Sequence, residues 1–241
     1  MKSLQCPWEN SDSYFQPLCS CDGLLLLSVH DGYFDGTKSG RSFVLWNPSI
    51  GLHKRISCPY ELPSISLYGL CYDSTADDYR VFIVSQENET SVVIYSSSNN
   101  SWSIFFDNRY NLYLSEHQAV VNGAVHWVMS PSRWDHFLWA IVYFDLVEEK
   151  FKEVPLPSSW NEDDEMNLVV LGGYLCVYCY LGVKQIELLC LTKRGQVLIK
   201  IGKRGIGIYD PKDGTFLPYD CVRGRMPIPY VETLVSPNGG V

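Results

Sequence analysis

Few residues in this sequence have the types and spacing for chemistry, and each such group lacks a part that its chemistry requires. Cys176-Val177-Tyr178-Cys179 has the C-x-x-C spacing of a metal or redox pair. Its surroundings read as a strand, where positions i and i+3 point to opposite faces, so the two sulfurs diverge. No second C-x-x-C accompanies it. Cys19-Ser20-Cys21 puts two thiols on one strand face, with His30 further on, and leaves a metal's ligand set incomplete. Asp73-Ser74-Thr75-Ala76-Asp77-Asp78 resembles a calcium loop without its sixth-position glycine, and Val84 stands where a bidentate glutamate is needed. A solvated hairpin turn is expected there instead. Glu162-Asp163-Asp164-Glu165 reads as a solvated loop. Gly202-Lys203-Arg204-Gly205-Ile206-Gly207 lacks phosphate-loop spacing and a following helix, and reads as a tight connection. His117, His126 and His136 stand beside no nucleophile motif, and G-x-S-x-G is absent. No catalytic residue, cofactor or metal is expected.

The elements that would position a site form a folded, acidic chain. Its 241 residues carry 19 Lys+Arg against 27 Asp+Glu, a net charge of −8. That balance offers no general attraction for nucleic acid or anionic membrane. At 46% hydrophobic and 19% charged residues, the composition fits a packed core. The nine cysteines are odd in number and lie mostly in apolar stretches. They read as reduced thiols of a cytoplasmic or nuclear protein. The N-terminal residues lack the apolar core of a signal peptide. The longest uncharged apolar run, residues 168–183, is broken by three glycines and too short for a membrane helix.

A repeat near fifty residues organises the sequence. Apolar strands end in Trp46, Tyr95, Phe144 and Tyr209. The first two intervals are each 49 residues, and the last is 65. Seven residues beyond each aromatic lies a second ring: His53, Trp102, Phe151 and Phe216. Turn residues fill the gaps, as hairpins require. Another apolar strand precedes each aromatic one, and Leu168–Tyr180 reads as two strands around Gly172-Gly173. No stretch carries a helical stripe. The expected fold is all-β and propeller-like, with roughly four to five blades, some incomplete. The last interval breaks the rule: from Gly173 to the next glycine-led strand at Gly195 is only 22 residues, so one or two strands are expected to be missing there.

Five motifs then carry a resemblance: Trp46-Asn47-Pro48-Ser49; Tyr68-Gly69-Leu70-Cys71-Tyr72-Asp73 with Asp78-Tyr79-Arg80-Val81; Asn122-Gly123-Ala124-Val125-His126-Trp127; Phe144-Asp145-Leu146 with Glu149-Lys150-Phe151; and Tyr230-Val231-Glu232-Thr233-Leu234-Val235-Ser236-Pro237. In this order they resemble the F-box-associated domain of plant F-box proteins. The resemblance places the domain at residues 18–237, between an extension (residues 1–17) and a tail (residues 238–241). It implies a substrate-recruiting module of an SCF ubiquitin ligase, with an F-box that docks on a Skp-type adaptor. Residues 1–17 leave no room for an F-box, so docking in the family manner is not expected. The family also continues from the strand at Gln185–Leu189 through a further Trp-bearing strand, which this sequence lacks.

Repeats place equivalent loops on one rim. The loops before the aromatic strands form such a set. Residues 29–42 carry Tyr33, Phe34 and Arg41, and residues 129–139 carry Arg133, Trp134, His136, Phe137 and Trp139. Aromatics and arginine on loops are favoured interface anchors. These eight residues are the expected binding surface for a target protein, and a capping role is the competing reading. Two other functions stay open at this point: a propeller enzyme or sugar-binding module with an axial site, and a truncated, non-functional paralogue.

Overall fold

The computed structural model describes residues 13–31, 42–63, 66–87, 89–112, 118–131, 138–155, 167–171, 174–178, 186–191, 197–201, 205–210, 215–219 and 233–237. These contain strands and no helix. Sheet one is β1 (Ser13–Cys21), β2 (Leu24–Asp31), β3 (Ser42–Asn47) and β4 (Leu52–Ser57). Sheet two is β5 (Ser66–Asp73), β6 (Asp78–Gln86), β7 (Thr90–Ser96) and β8 (Ser101–Phe106). Short β9 (Asn111–Leu112) pairs with β11 of sheet three, which is β10 (Gln118–Val121), β11 (Ala124–Ser130), β12 (Ala140–Asp145) and β13 (Lys150–Val154). Sheet four is β14 (Asn167–Leu171) and β15 (Tyr174–Tyr178). Sheet five is β16 (Ile186–Leu191), β17 (Val197–Ile201), β18 (Gly205–Asp210) and β19 (Thr215–Tyr219). Every sheet is an antiparallel meander, the blade expected of a propeller.

The repeated rings have a register explanation. Trp46 pairs with His53, Tyr95 with Trp102, Phe144 with Phe151, and Tyr209 with Phe216. Each pair closes a third-to-fourth-strand hairpin, where residues directly opposite share one face of the sheet. Ring centroids are 5.0 Å apart for Tyr95–Trp102 and 5.5 Å for Phe144–Phe151. In the first three sheets the residue after the first ring caps the turn. The Asn47 side-chain oxygen accepts the Ser49 N–H at 2.9 Å, and Asp145 accepts those of Val147 and Glu148 at 2.9 Å. Ser96 Oγ accepts the Asn99 N–H at 3.2 Å. In these three sheets the chain turns through positive φ two residues before the second ring, at Gly51, Asn100 and Glu149. The 49-residue period is therefore a repeated turn chemistry as well as a repeated apolar pattern.

The first strands of successive sheets touch: β1 meets β5, β5 meets β10, β10 meets β14, and β14 meets β16. This places the first strands innermost. The core lies between sheets. Leu24, Leu26, Phe43, Leu45 and Ile56 of sheet one pack on Leu70, Val81, Ile83, Val93 and Tyr95 of sheet two. The other face of sheet two packs Phe82, Val84, Val92 and Ile94 on Trp127, Met129, Val142, Phe144 and Phe151. A smaller cluster of Ala119, Val128, Ile141 and Leu168 joins sheets three and four.

The shortfall in the last interval has a definite place. The strand at Gln185–Leu189 appears as β16, which pairs with β17 and opens sheet five. Sheet four therefore holds two strands among the described residues. Leu191 and Val197 are paired across the β16–β17 turn, so no chain remains there for a further strand of sheet four.

Candidate protein-interaction site

Antiparallel order fixes which loops share a rim. Those joining second to third strands, and one sheet to the next, lie at one end. The tight turns lie at the other. Residues 32–41 join β2 to β3 and residues 131–139 join β11 to β12, so both expected binding loops leave the same end of their sheets. Tyr33, Phe34, Arg41, Arg133, Trp134, His136 and Phe137 lie outside the described residues. Trp139 is half-buried and packs against Ala119, Val128, Ile141 and Leu168. It anchors the base of its loop on sheet three. Trp139→Ala should destabilise the chain by about 1.5–2.5 kcal/mol, half of a fully buried truncation. A urea titration checks this value.

On this rim the link from β8 to β9 is held by polar contacts. The Asp107 carboxylate accepts the Phe151 N–H at 2.9 Å and the Arg109 guanidinium at 2.6 Å. Arg109 also donates to the Phe151 carbonyl at 2.6 Å. The Arg109 and Phe151 hydrogen bonds hold the Asp107 carboxyl below its ordinary value despite burial, which opposes them. Tyr110 Oη donates to Glu153 at 2.7 Å, and Gln86 Nε2 donates to Asn111 at 2.7 Å. These residues were missed in the sequence, where only a polar turn marks them. They give the loop-bearing rim a fixed base between sheets two and three.

The opposite end carries a clasp. Asn47 is fully buried, and its amide donates to the carbonyls of Thr233 at 3.0 Å and Val235 at 2.8 Å. Thr233 Oγ1 donates to the Asp22 carbonyl at 2.7 Å, and Ser97 Oγ to the Pro237 carbonyl at 2.9 Å. Val235 packs into the core between sheets one and two. The C-terminal segment thus straps these two sheets together from below.

The groups weighed for chemistry are engaged otherwise. Burial, followed by neighbouring carboxylate charge at Cys71, pushes the Cys19 and Cys71 thiols up to about 12, and burial raises Cys21 as well. Such thiols stay protonated, unlike nucleophiles or metal ligands. Cys176 lies on β15, and Cys179 lies outside the described residues. Asp73 Oδ1 accepts the N–H groups of Thr75 and Ala76 at 3.0 and 3.3 Å, a self-capped hairpin turn. No group of three metal-ligating side chains occurs among the described residues. The five innermost strands carry only Asp73 and Glu187 as ionised carboxylates and no Lys, Arg or His. An axial enzyme site needs several convergent polar groups.

His126 is buried beside Tyr143, with ring centroids 5.5 Å apart. Burial holds it below the ordinary 6.5. The unfolded chain therefore binds a proton near pH 6.5 that the folded chain refuses. Its contribution is complete above that pH and is lost as pH falls below it. Urea midpoints measured at pH 7.5 and 5.5 should drop less for His126→Phe than for the parent chain.

With this geometry in hand, known proteins place the chain. The sequence pattern of the F-box associated beta propeller domain matches residues 2–187, most of the chain. The chain belongs to that family. This F-box associated domain is similar to the F-box/kelch-repeat protein At3g23880 of Arabidopsis thaliana, 25% identical over 266 residues, covering 93% of this chain and 70% of that protein. It is similar to the Arabidopsis F-box protein CPR1, 29% identical over 182 residues, covering 62% of this chain and 44% of that protein. The F-box protein At3g07870 of the same plant is 24% identical, covering 84% of this chain and 65% of that protein. The chain thus spans less than half the length of several curated relatives it matches. No solved structure matches it. No helix among the described residues is long and apolar enough to cross a membrane.

Proposed function

We propose that this F-box associated domain is a non-catalytic protein-interaction module that selects a target protein for an SCF-type ubiquitin ligase. Membership of the family is the observation that carries this reading. The sparsely charged inner strands favour it over an axial enzyme or sugar-binding site. The target binds the loop-bearing rim, through Tyr33, Phe34 and Arg41 of one loop and Arg133, Trp134, His136 and Phe137 of the other. Trp139 holds the second loop in place. Ligase assembly runs through a Skp-type adaptor, and ubiquitin transfer is the work of other subunits. The site of action is the cytoplasm or nucleus. No nucleic acid, membrane or cofactor takes part.

Affinity capture with the tagged chain from plant extract tests this reading. Recovery of a reproducible target, with the adaptor present when the chain is expressed within a full-length relative's F-box context, is the expected result. Turnover of a small-molecule substrate by the chain alone would overturn it.

A further inference from the structure

We propose that sheet four is completed in trans: a β-hairpin from a partner protein adds to the outer edge of β15 and packs on the face of sheet three. This goes beyond the ligase reading and stands independently of it.

Three observations meet at this place. The first is the strand count. Sheets one, two, three and five each continue through a third and fourth strand, whereas β15 pairs only with β14 among the described residues. Two repeats of 49 residues need about 98 between Phe144 and Tyr209, and the chain supplies 65, about 33 short. That deficit is the length of an outer hairpin with its connections.

The second is burial. On the face of sheet one that meets sheet two, the outer positions Phe43, Leu45 and Ile56 are 0%, 0% and 3% exposed. On the face of sheet three that meets sheet four, Val128 and Ile141 are buried, but Tyr143 and Val154 further out are only half-buried. Val170 on β14 is 39% exposed. Apolar burial on this face is thus deepest beside the two described strands of sheet four and falls off toward Tyr143 and Val154. The third is a buried imidazole. His126, on that same face of sheet three, is 8% exposed, and its Nδ1 has no hydrogen-bond partner among the described residues.

The shape selects the occupant. Strands lie about 4.8 Å apart, so among the described residues sheet four ends about 10 Å short of a four-stranded sheet. A second folded copy cannot reach an edge set back that far. A hairpin can, by pairing main chain to main chain while alternate side chains face sheet three. The chain's own β7–β8 hairpin shows the chemistry needed. Its Val93, Tyr95, Trp102 and Ile104 pack on the preceding sheet. A fitting partner carries the same alternation, with a ring on each strand.

The probe is a synthetic peptide of residues 90–106, added to the full chain. The expected result is saturable one-to-one binding, with amide hydrogen exchange in residues 174–178 slowed at least tenfold. A peptide carrying Val93→Asp and Ile104→Asp should bind at least tenfold more weakly, and this comparison leaves the folded chain untouched. Equal binding of both peptides, protection elsewhere, or no binding would overturn the proposal. So would β15 amides already as protected in the free chain as those of β11, which would mean that its own residues or a second copy cover that edge.

Discussion

Gly69→Val is expected to destabilise the chain by about 3 kcal/mol, at the upper end for an overpacked core. For a chain of this length that lowers the melting temperature by roughly 6–12 °C. The cause is a close approach between sheets. Gly69 lies on β5, innermost in sheet two, where β11 of sheet three crosses it. A Cβ there would sit 2.8 and 2.9 Å from the two Val125 methyls and 3.0 Å from the Trp127 ring. Neither neighbour can retreat. Val125 and Trp127 are buried, and Trp127 is further fixed by donating Nε1–H to the Tyr68 carbonyl at 3.3 Å. The backbone at Gly69 is ordinary, so the effect is steric and not conformational. Calorimetry on Gly69→Ala and Gly69→Val should show losses that grow with side-chain size. Equal melting temperatures for both variants and the parent would refute the packing described.

Asn47→Ala is expected to cost about 2–3 kcal/mol, because two part-buried carbonyls lose their donor at once. Alanine cannot reach Thr233 or Val235, and it also removes the turn's cap, the acceptor for the Ser49 N–H. The loss should be shared with the clasp. Deleting residues 233–241 should itself destabilise the chain, and Asn47→Ala should then add little. That non-additivity marks a pair in direct contact. Full additivity in urea titrations would show that Asn47 acts only within its own turn.

What the sequence reveals here follows from how local each interaction is. The rings at i and i+7 announce hairpins because one turn fixes their register. The capping positions Asn47, Ser96 and Asp145 belong to that same turn, so the period near fifty and the all-β class are both legible. The strand at Ile186–Leu191 is less so, since its apolar pattern would serve sheet four or sheet five equally. Its pairing with Val197–Ile201, across a short turn, decides the matter. Asn47 and Thr233 are 186 residues apart, and their two motifs stand at opposite ends of the resemblance with nothing to link them. The contacts of Asp107, Arg109 and Tyr110 with β13 are equally hidden, because ordinary polar residues carry them across 42–44 residues. Trp139 shows the limit at the site. An aromatic in a loop reads as an anchor for a partner, and nothing in the sequence shows that its half-buried ring also packs on sheet three.

The binding rim is tested most directly by capture with paired substitutions on opposite ends of the sheets. One chain carries Tyr33→Ala and Trp134→Ala on the loop-bearing rim. The other carries Val147→Ser, which replaces a side chain 92% exposed on the β12–β13 turn at the opposite end. Both are compared with the parent by quantitative mass spectrometry, after melting curves confirm that all three are folded alike. The prediction is that the rim pair loses the captured target while Val147→Ser retains it. A target set unchanged by the rim pair, or lost only with Val147→Ser, would contradict recruitment through this rim.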